Sequence, residues 1–231
     1  MVDVVENLVE ARARIDAACA RVGRDPGEVE LLPVSKTHPD EAVRAAAGAG
    51  YRRFGENRPQ ELARRTAALG DLPLSWVAIG RIQSNKAKLI AEYAAELQSL
   101  DSVALAEALE RRLAALGRRL TVLVQVNTSG EEAKAGFQPE ETMDAVAALS
   151  RFPHLDVRGL MTMAAHTSDA TAIRHSFATL RSLRDQLQAV HGPRISALSM
   201  GMSGDFELAV EEGSTCVRLG SVIFGARPNP A

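Results

Sequence analysis

The stretch ALSMGMSGDFELAVEEGSTCVRLGS, residues 197–221, carries the pattern that decides the fold. An apolar run at 197–200 predicts a strand, and a loop containing glycine and serine follows it. Residues 205–212 predict a short helix, and a second apolar run at 216–219 predicts another strand. Two short strands joined by a helix indicate a parallel sheet.

The same alternation of strand and helix extends along the chain. Leucines recur every three or four residues in 102–117, and a similar apolar stripe runs through 168–190, so both segments predict helices. Short apolar runs predict eight strands, at 31–35, 53–56, 75–80, 97–100, 120–127, 157–163, 197–200 and 216–219.

Eight strands alternating with helices in 231 residues predict a (β/α)8 TIM barrel, an α/β fold. An open doubly wound sheet alternates in the same way, but the first strand is not followed by its usual GxGxxG. Nothing in the composition divides the chain, so we expect one domain over 1–231, with an extra N-terminal helix at about 2–22. Pro33 fits the first strand poorly because proline lacks a backbone donor.

Composition and charge exclude several classes of protein. A net charge of −2 argues against binding nucleic acid through overall charge. The longest run without a charged residue is 11 residues, at 120–130, whereas a membrane-spanning helix needs about 20. The N-terminus lacks the apolar core of a signal peptide, and the two cysteines form no metal-binding pattern. We therefore expect a cytoplasmic protein without a metal.

Lysine is scarce, with four lysines among the 27 basic residues. Lys36 ends the predicted first strand, where burial and a nearby cation such as Arg218 would lower the pKa of its amine. A free amine of this kind is suited to forming a Schiff base. The alternative is a solvated lysine at a strand end, which is the commoner case.

The loops after strands seven and eight have the composition of a phosphate site. Gly201, Gly204 and Gly220 allow close backbone approach, while Ser203 and Ser221 supply hydroxyls. Ordinary turns would explain either loop alone, but TIM barrels often bind phosphate at these two positions. A lysine and a phosphate site on one rim suggest either pyridoxal 5′-phosphate (PLP) or a phosphosugar in a Schiff-base aldolase. Arg218 favours PLP, as a cationic partner for the pyridine nitrogen.

Six blocks of sequence, in order between residues 31 and 227, resemble the PLP homeostasis protein family. The resemblance implies a fold-type III PLP-binding barrel, as in the N-terminal domain of alanine racemases. The blocks are VSKTHP (34–39), FGENRPQEL (54–62), GRIQSNK (80–86), QVNTSGEEAKAGF (125–137), GLMTM (159–163) and LSMGMSGDFELAVEEGSTCVRLGSVIFGAR (198–227).

The resemblance also implies roles for particular residues. Lys36 would be the internal aldimine lysine, Asn57 would lie beside the cofactor ring, and Arg218 would face the pyridine nitrogen. The residues implied around the phosphate are Met200, Ser203, Gly220 and Ser221.

This sequence departs from the family pattern at two places. Val77 and Ala78 stand where family members usually have a histidine and an aromatic residue, and Pro33 stands where alanine is common. Lys86 and Lys134 lie in family-like blocks. Two roles stay open for these lysines. They accept or pass on PLP, or they are solvated or ion-paired residues with a structural role. Lys88 is expected at the surface.

Three functions are consistent with these features: a PLP-binding regulator or carrier, an amino-acid racemase, and a phosphosugar lyase. The racemases that the chain resembles take a second base, a tyrosine, from an added β-domain. Tyr51 and Tyr93 are predicted away from the strand ends, and the sequence ends soon after the family blocks. We therefore expect a monomeric protein that holds PLP without dedicated turnover, with PLP-accepting apoenzymes as transient partners and neither nucleic acid nor membrane as a partner.

Overall fold

The computed structural model of this chain describes residues 2–131 and 134–226. The strands are β1 (Glu30–Pro33), β2 (Arg53–Glu56), β3 (Ser75–Ala78), β4 (Glu96–Leu100), β5 (Leu120–Gln125), β6 (Leu155–Met161), β7 (Ala197–Met202) and β8 (Cys216–Leu219). The α-helices are α1 (Val4–Arg21), α2 (Asp40–Gly48), α3 (Pro59–Ala68), α4 (Ala87–Tyr93), α5 (Val103–Leu116), α6 (Thr142–Leu149), α7 (Ala170–His191), α8 (Phe206–Glu211) and α9 (Ser221–Phe224). Short 3₁₀ helices occupy Pro26–Glu28, Ser84–Lys86 and Pro139–Glu141.

The eight strands form one parallel sheet in the order β1-β8-β7-β6-β5-β4-β3-β2. The two end strands of this order, β1 and β2, meet through a parallel bridge between Val34 and Gly55. The backbone N–H of Ser35 also donates to the carbonyl oxygen of Gly55 at 3.2 Å. The sheet is therefore a nearly closed barrel, which confirms the predicted TIM-barrel class.

Pro33 accounts for the weak seam between β1 and β2. The N–H of Val34 donates to Leu219 of β8, and the N–H of Ser35 donates to Gly55 on the other side. Backbone donors on a central strand alternate between its two neighbours, so residue 33 would donate toward β2. Proline has no donor for that bond, and the pairing of β1 with β2 is confined to the bridge beyond it.

The extra N-terminal helix is present as α1. Asp3 caps it by accepting hydrogen bonds from the N–H groups of Val5 and Glu6. The helix packs against α2, α8 and α9. Because α9 after the last strand has only 4 residues, α1 fills the position in the outer ring that a longer eighth helix would take.

The predicted helices begin and end close to their expected limits, because the sequence shows residue types that commonly cap helices. Ser102 caps α5 through a hydrogen bond from the N–H of Leu105, and Gly117 ends it in the left-handed conformation with φ of 62°. β5 ends at Gln125, two residues earlier than predicted, because Asn127 leaves the sheet to bond with the segment around Phe137. Within the described residues, no helix combines the length and apolar character needed to cross a membrane.

Candidate functional site

The predicted site residues lie along one rim of the barrel, where the strands end. Lys36 follows β1 in a turn, and Asn57 directly follows β2. Arg218 lies inside β8, and Gly220 lies directly after that strand. Since β1 pairs with β8 on one side and meets β2 on the other, Lys36 lies between the strand of Asn57 and the strand of Arg218.

The loops after β7 and β8 converge at this rim. Ser203 follows β7, and its Oγ accepts a hydrogen bond at 3.4 Å from the N–H of Val222 in α9. Ser221, the first residue of α9, is the neighbour of Val222 in the chain. The two serine hydroxyls predicted at a phosphate site therefore belong to loops that are in direct contact.

Asp205 fixes the shape of the β7 loop. Its Oδ1 accepts from the N–H of Met202 at 2.6 Å, and its own N–H donates to the carbonyl of Met202 at 3.0 Å. Burial raises the pKa of this carboxyl, although the hydrogen bond from Met202 and the charge of Arg218 oppose the rise. The loop that contains Ser203 is thus held by its own backbone and by one carboxylate.

The glycines and the methionine of this loop have different reasons for their positions. Gly201 has φ of 95°, and a Cβ there would lie 2.6 Å from the Cβ of Ala209, so it is glycine because of the fold. A Cβ at Gly204 would meet no atom within 4 Å, which leaves open space above the loop. Met200 lies inside β7 with a fully buried side chain. It is therefore deeper in the barrel than Ser203 and Ser221.

Arg218 is a buried guanidinium held by neutral partners. Its Nη1 donates to Ser199 Oγ at 2.6 Å, and its Nη2 donates to the carbonyl of Thr162 at 2.8 Å. Among the described residues no carboxylate forms an ion pair with it, and burial lowers the pKa of the guanidinium. The residue is 4% exposed, so this positive charge is buried inside the barrel.

A chain of hydrogen bonds continues from Arg218 down the barrel. Ser199 Oγ donates to Gln98 Oε1 at 2.7 Å, and Gln98 Nε2 donates to Glu96 Oε1 at 2.7 Å. Glu96 is also bound by Arg53, at the lower end of the barrel. Two neutral side chains therefore separate Arg218 from the carboxylate of Glu96, and the orientation of Arg218 is fixed from below.

The turn that carries Lys36 is closed and strained. The N–H of His38 donates to the carbonyl of Ser35 at 3.1 Å, and Thr37 has φ of 68°, which is rare for a β-branched residue. The ring of His38 stacks on Phe224 of α9 with centroids 5.3 Å apart. The turn thus contacts the loop after β8, and Lys36 is half-buried at its centre.

Arg65 of α3 lies beneath this turn and is 1% exposed. Its Nη2 donates to the carbonyls of Ser35 at 3.1 Å and His38 at 2.6 Å. Its guanidinium also pairs with Asp40, at 2.8 Å, and with Glu56 Oε1, at 2.8 Å. Ser35 Oγ donates to the same oxygen of Glu56 at 2.7 Å. Burial raises the pKa of Glu56, against the effects of Ser35 and Arg65.

Sequence reasoning missed Arg65, Glu56, Ser199 and Gln98. A signal existed for three of them, because Glu56, Gln98 and Ser199 are polar residues inside predicted strands, where a buried polar group needs a partner. No comparable signal marked Arg65, which lies on a helix with many arginines around it in the sequence.

Two of the other lysines have local side-chain partners. Lys134 Nζ lies 2.7 Å from Glu131 and donates to the carbonyl of Ala164 at 2.9 Å. Lys88 pairs with Glu92 across one turn of α4. Lys86 is half-buried at the end of the 3₁₀ helix before α4.

Comparison with known proteins defines the class first. The family described as "Alanine racemase, N-terminal domain" matches residues 7–228 of this chain. The alanine racemase of Clostridium difficile 630 has a TM-score of 0.76 at 16% identity, covering 98% of this chain and 56% of the racemase. The barrel is therefore that of the alanine racemase N-terminal domain.

Closer relatives specify the family within that class. The pyridoxal phosphate homeostasis protein of Pseudomonas aeruginosa is 44% identical over 227 residues, which cover 98% of this chain and 97% of the relative. The protein of the same name from Aquifex aeolicus is 40% identical over 222 residues, with 96% and 97% covered. PipY of Synechococcus elongatus, solved with PLP bound, has a TM-score of 0.85 at 38% identity, with 96% of this chain and 100% of PipY covered. The chain belongs to the pyridoxal phosphate homeostasis protein family.

Proposed function

We propose that this chain binds PLP at the rim of its barrel and holds it, covalently attached to Lys36, as part of PLP homeostasis. The observation that carries the proposal is the convergence of three groups on that rim. These are the turn with Lys36, the buried guanidinium of Arg218 on the adjacent strand, and the joined loops of Ser203 and Ser221. The PLP-bound structure of PipY supports the choice of ligand.

The donor set fits the three chemical parts of PLP. The hydroxyls of Ser203 and Ser221, with the loop backbone from Met200 to Gly204 and at Gly220, suit the phosphate. Arg218, as a cation, would disfavour a proton on the pyridine nitrogen, and Asn57 would lie beside the ring. When bound, PLP would supply an aldehyde carbon, and Lys36 would present its amine to that carbon for covalent attachment with release of one water.

The position of the tyrosines supports holding PLP over racemising with it. Tyr93 is the last residue of α4, which runs back from the rim, and Tyr51 directly precedes the segment leading into β2. Both residues are therefore at the opposite end of the barrel from Lys36. Within the described residues, neither can serve as a second base across the rim.

We further propose that the protein acts in the cytoplasm as a monomer and that its partners beyond PLP are apoenzymes that accept the cofactor transiently. Lys134 is not included in that transfer, because its amine has the local partners of a structural lysine. Neither nucleic acid nor a membrane is proposed as a partner.

Borohydride reduction followed by mass spectrometry of the purified protein tests the covalent site. We expect a visible absorption band and a reduced PLP adduct on Lys36, and both should be lost in Lys36→Ala. Lys88→Ala is the matched control, because Lys88 is exposed and paired with Glu92, and it should keep both signals.

Two results would contradict the proposal. One is a Lys36→Ala protein that keeps the visible band and carries the adduct on another lysine. The other is saturable racemisation of D- or L-amino acids by the wild-type protein, which would replace holding by catalysis.

A further inference from the structure

Lys36 lies in the turn of residues 35–38. The side chain of Arg65, from helix α3, binds the backbone of this turn. Arg65 belongs to α3, which follows β2, whereas the turn follows β1. One nitrogen of its guanidinium, Nη2, donates to the carbonyls at both ends of the turn, Ser35 and His38. Lys36 and Thr37 are therefore bracketed by two hydrogen bonds to the same atom.

The guanidinium itself has little freedom to move. Its Nη1 donates to Asp40 at the start of α2, and its Nε lies 2.8 Å from Glu56 at the end of β2. The side chain is 2% exposed, and Glu56 is 1% exposed. A planar cation fixed by two carboxylates offers its remaining donors in one direction, which is toward the turn.

The turn needs such support because its backbone is strained. Thr37 is the one residue other than glycine with positive φ among the described residues, at 68°. A β-branched residue keeps that conformation only where its surroundings impose it. The bonds from Arg65, the bond from Ser35 Oγ to Glu56 and the stacking of His38 on Phe224 impose it here.

We propose that Arg65 is a positioning residue for Lys36: by fixing the strained turn, it sets the approach of the Lys36 amine to PLP. This inference rests on the proposed function, because it assumes that Lys36 is the attachment site. Arg65 bonds to the backbone carbonyls of the turn and acts on Lys36 through them. Its effect is therefore on the rate and the spectroscopic properties of attachment.

The test measures the rate at which the visible band appears when PLP is added to the full-length apoprotein, together with the pH dependence of that band. Arg65→Met should slow attachment about tenfold or more, since misplacing a reacting group by about 1 Å has effects of this order or larger. It should also shift the pH dependence, because the amine changes its surroundings. The attachment rate of Arg65→Lys should lie between those of the wild type and Arg65→Met, because lysine keeps the positive charge but lacks the several donors of the guanidinium.

Two further variants keep the test decisive if Arg65→Met folds poorly. The double variant Arg65→Met/Glu56→Gln removes both buried charges and should still attach PLP slowly. Arg64→Met is the matched control, because Arg64 shares the Asp40 partner of Arg65 but is exposed and has no bond to the turn. It should attach PLP at the wild-type rate.

The outcomes separate this inference from the proposed function. If the wild-type protein forms no adduct on Lys36, the proposed function fails. If the wild type forms that adduct and the double variant attaches PLP at the wild-type rate with unchanged pH dependence, only the role of Arg65 is wrong. If the Arg65 variants change only the thermal stability of the protein, Arg65 has a purely structural role and the inference is wrong.

Discussion

Two buried arginines, Arg65 and Arg218, lie close to the same rim and differ in how their charge is balanced. Arg65 is paired with the carboxylates of Glu56 and Asp40 and bound to two carbonyls. Arg218 has a hydroxyl and a carbonyl as hydrogen-bond partners, and the carboxylate whose charge acts on it, that of Asp205, forms no ion pair with it.

This difference suits the two arginines to different tasks, one to fixing protein structure and the other to binding a ligand. A buried cation paired with carboxylates has its charge balanced within the protein and fixes the elements that it joins, although Arg65 Nε and Glu56 Oε2 form no hydrogen bond among the described residues. A buried charge with neutral partners keeps part of its field for a ligand, at a cost to stability that appears as the lowered pKa of Arg218. Arg65 thus holds the turn of Lys36, while Arg218 is the arginine that we propose contacts the ligand.

Removing Arg65 should have the larger effect on stability. Arg65→Met leaves the buried carboxylate of Glu56 without a cation, and breaking a buried pair in this way costs about 3–5 kcal/mol. Chemical denaturation of the ligand-free protein measures the change. Arg65→Met/Glu56→Gln is the control and should recover a large part of the loss, and equal destabilisation of both variants would refute the paired-charge account.

Removing Arg218 should have a smaller effect on the ligand-free protein and abolish tight PLP binding. Arg218→Met removes a desolvated charge, but it leaves the carbonyl of Thr162 without its donor. These effects oppose each other, so we expect a net change of about 1–2 kcal/mol at most in the free energy of unfolding. A loss as large as that of Arg65→Met, or unchanged PLP affinity in a titration, would remove the distinction between the two arginines.

The smallest expected effect is a pH dependence from Glu56. Burial raises the pKa of Glu56 above its ordinary value of 4.5, so the folded protein holds this proton more tightly than the unfolded chain does. Its contribution to stability is present below the ordinary pKa and is lost as pH rises through the raised value. As the pH falls through the raised pKa of Glu56 toward its ordinary value of 4.5, the stability of the wild type should therefore improve relative to Glu56→Gln.

Much of the fold was predictable because its signals are local. The apolar runs gave all eight strands within about two residues at most ends, and Ser102 and Gly117 marked the limits of α5. The expectation that Pro33 fits its strand poorly also has a structural counterpart, since the seam between β1 and β2 lies there. The predicted site residues lie along one rim because parallel strands end on the same side.

The roles of the individual site residues stay predictions. The resemblance placed Lys36, Asn57, Met200, Ser203, Arg218, Gly220 and Ser221 at the ligand, and the structure brings them to the rim without testing those roles. The sequence did not reveal the residues that support these site residues. Arg65 and Ser199 act through partners distant in the chain, 30 residues to Ser35 and 19 to Arg218, and no local pattern encodes such pairings.

The sequence alone determined the order of strands and helices, the single lysine at the end of the first strand and the serine and glycine loops after the last two. These follow from periodicity and residue type, which act over a few neighbouring residues. The tertiary structure decided which buried arginine is paired with carboxylates and which has a hydroxyl and a carbonyl as its partners. That outcome depends on which side chains lie within about 3 Å of each other once the barrel closes, and only the packed fold sets those distances.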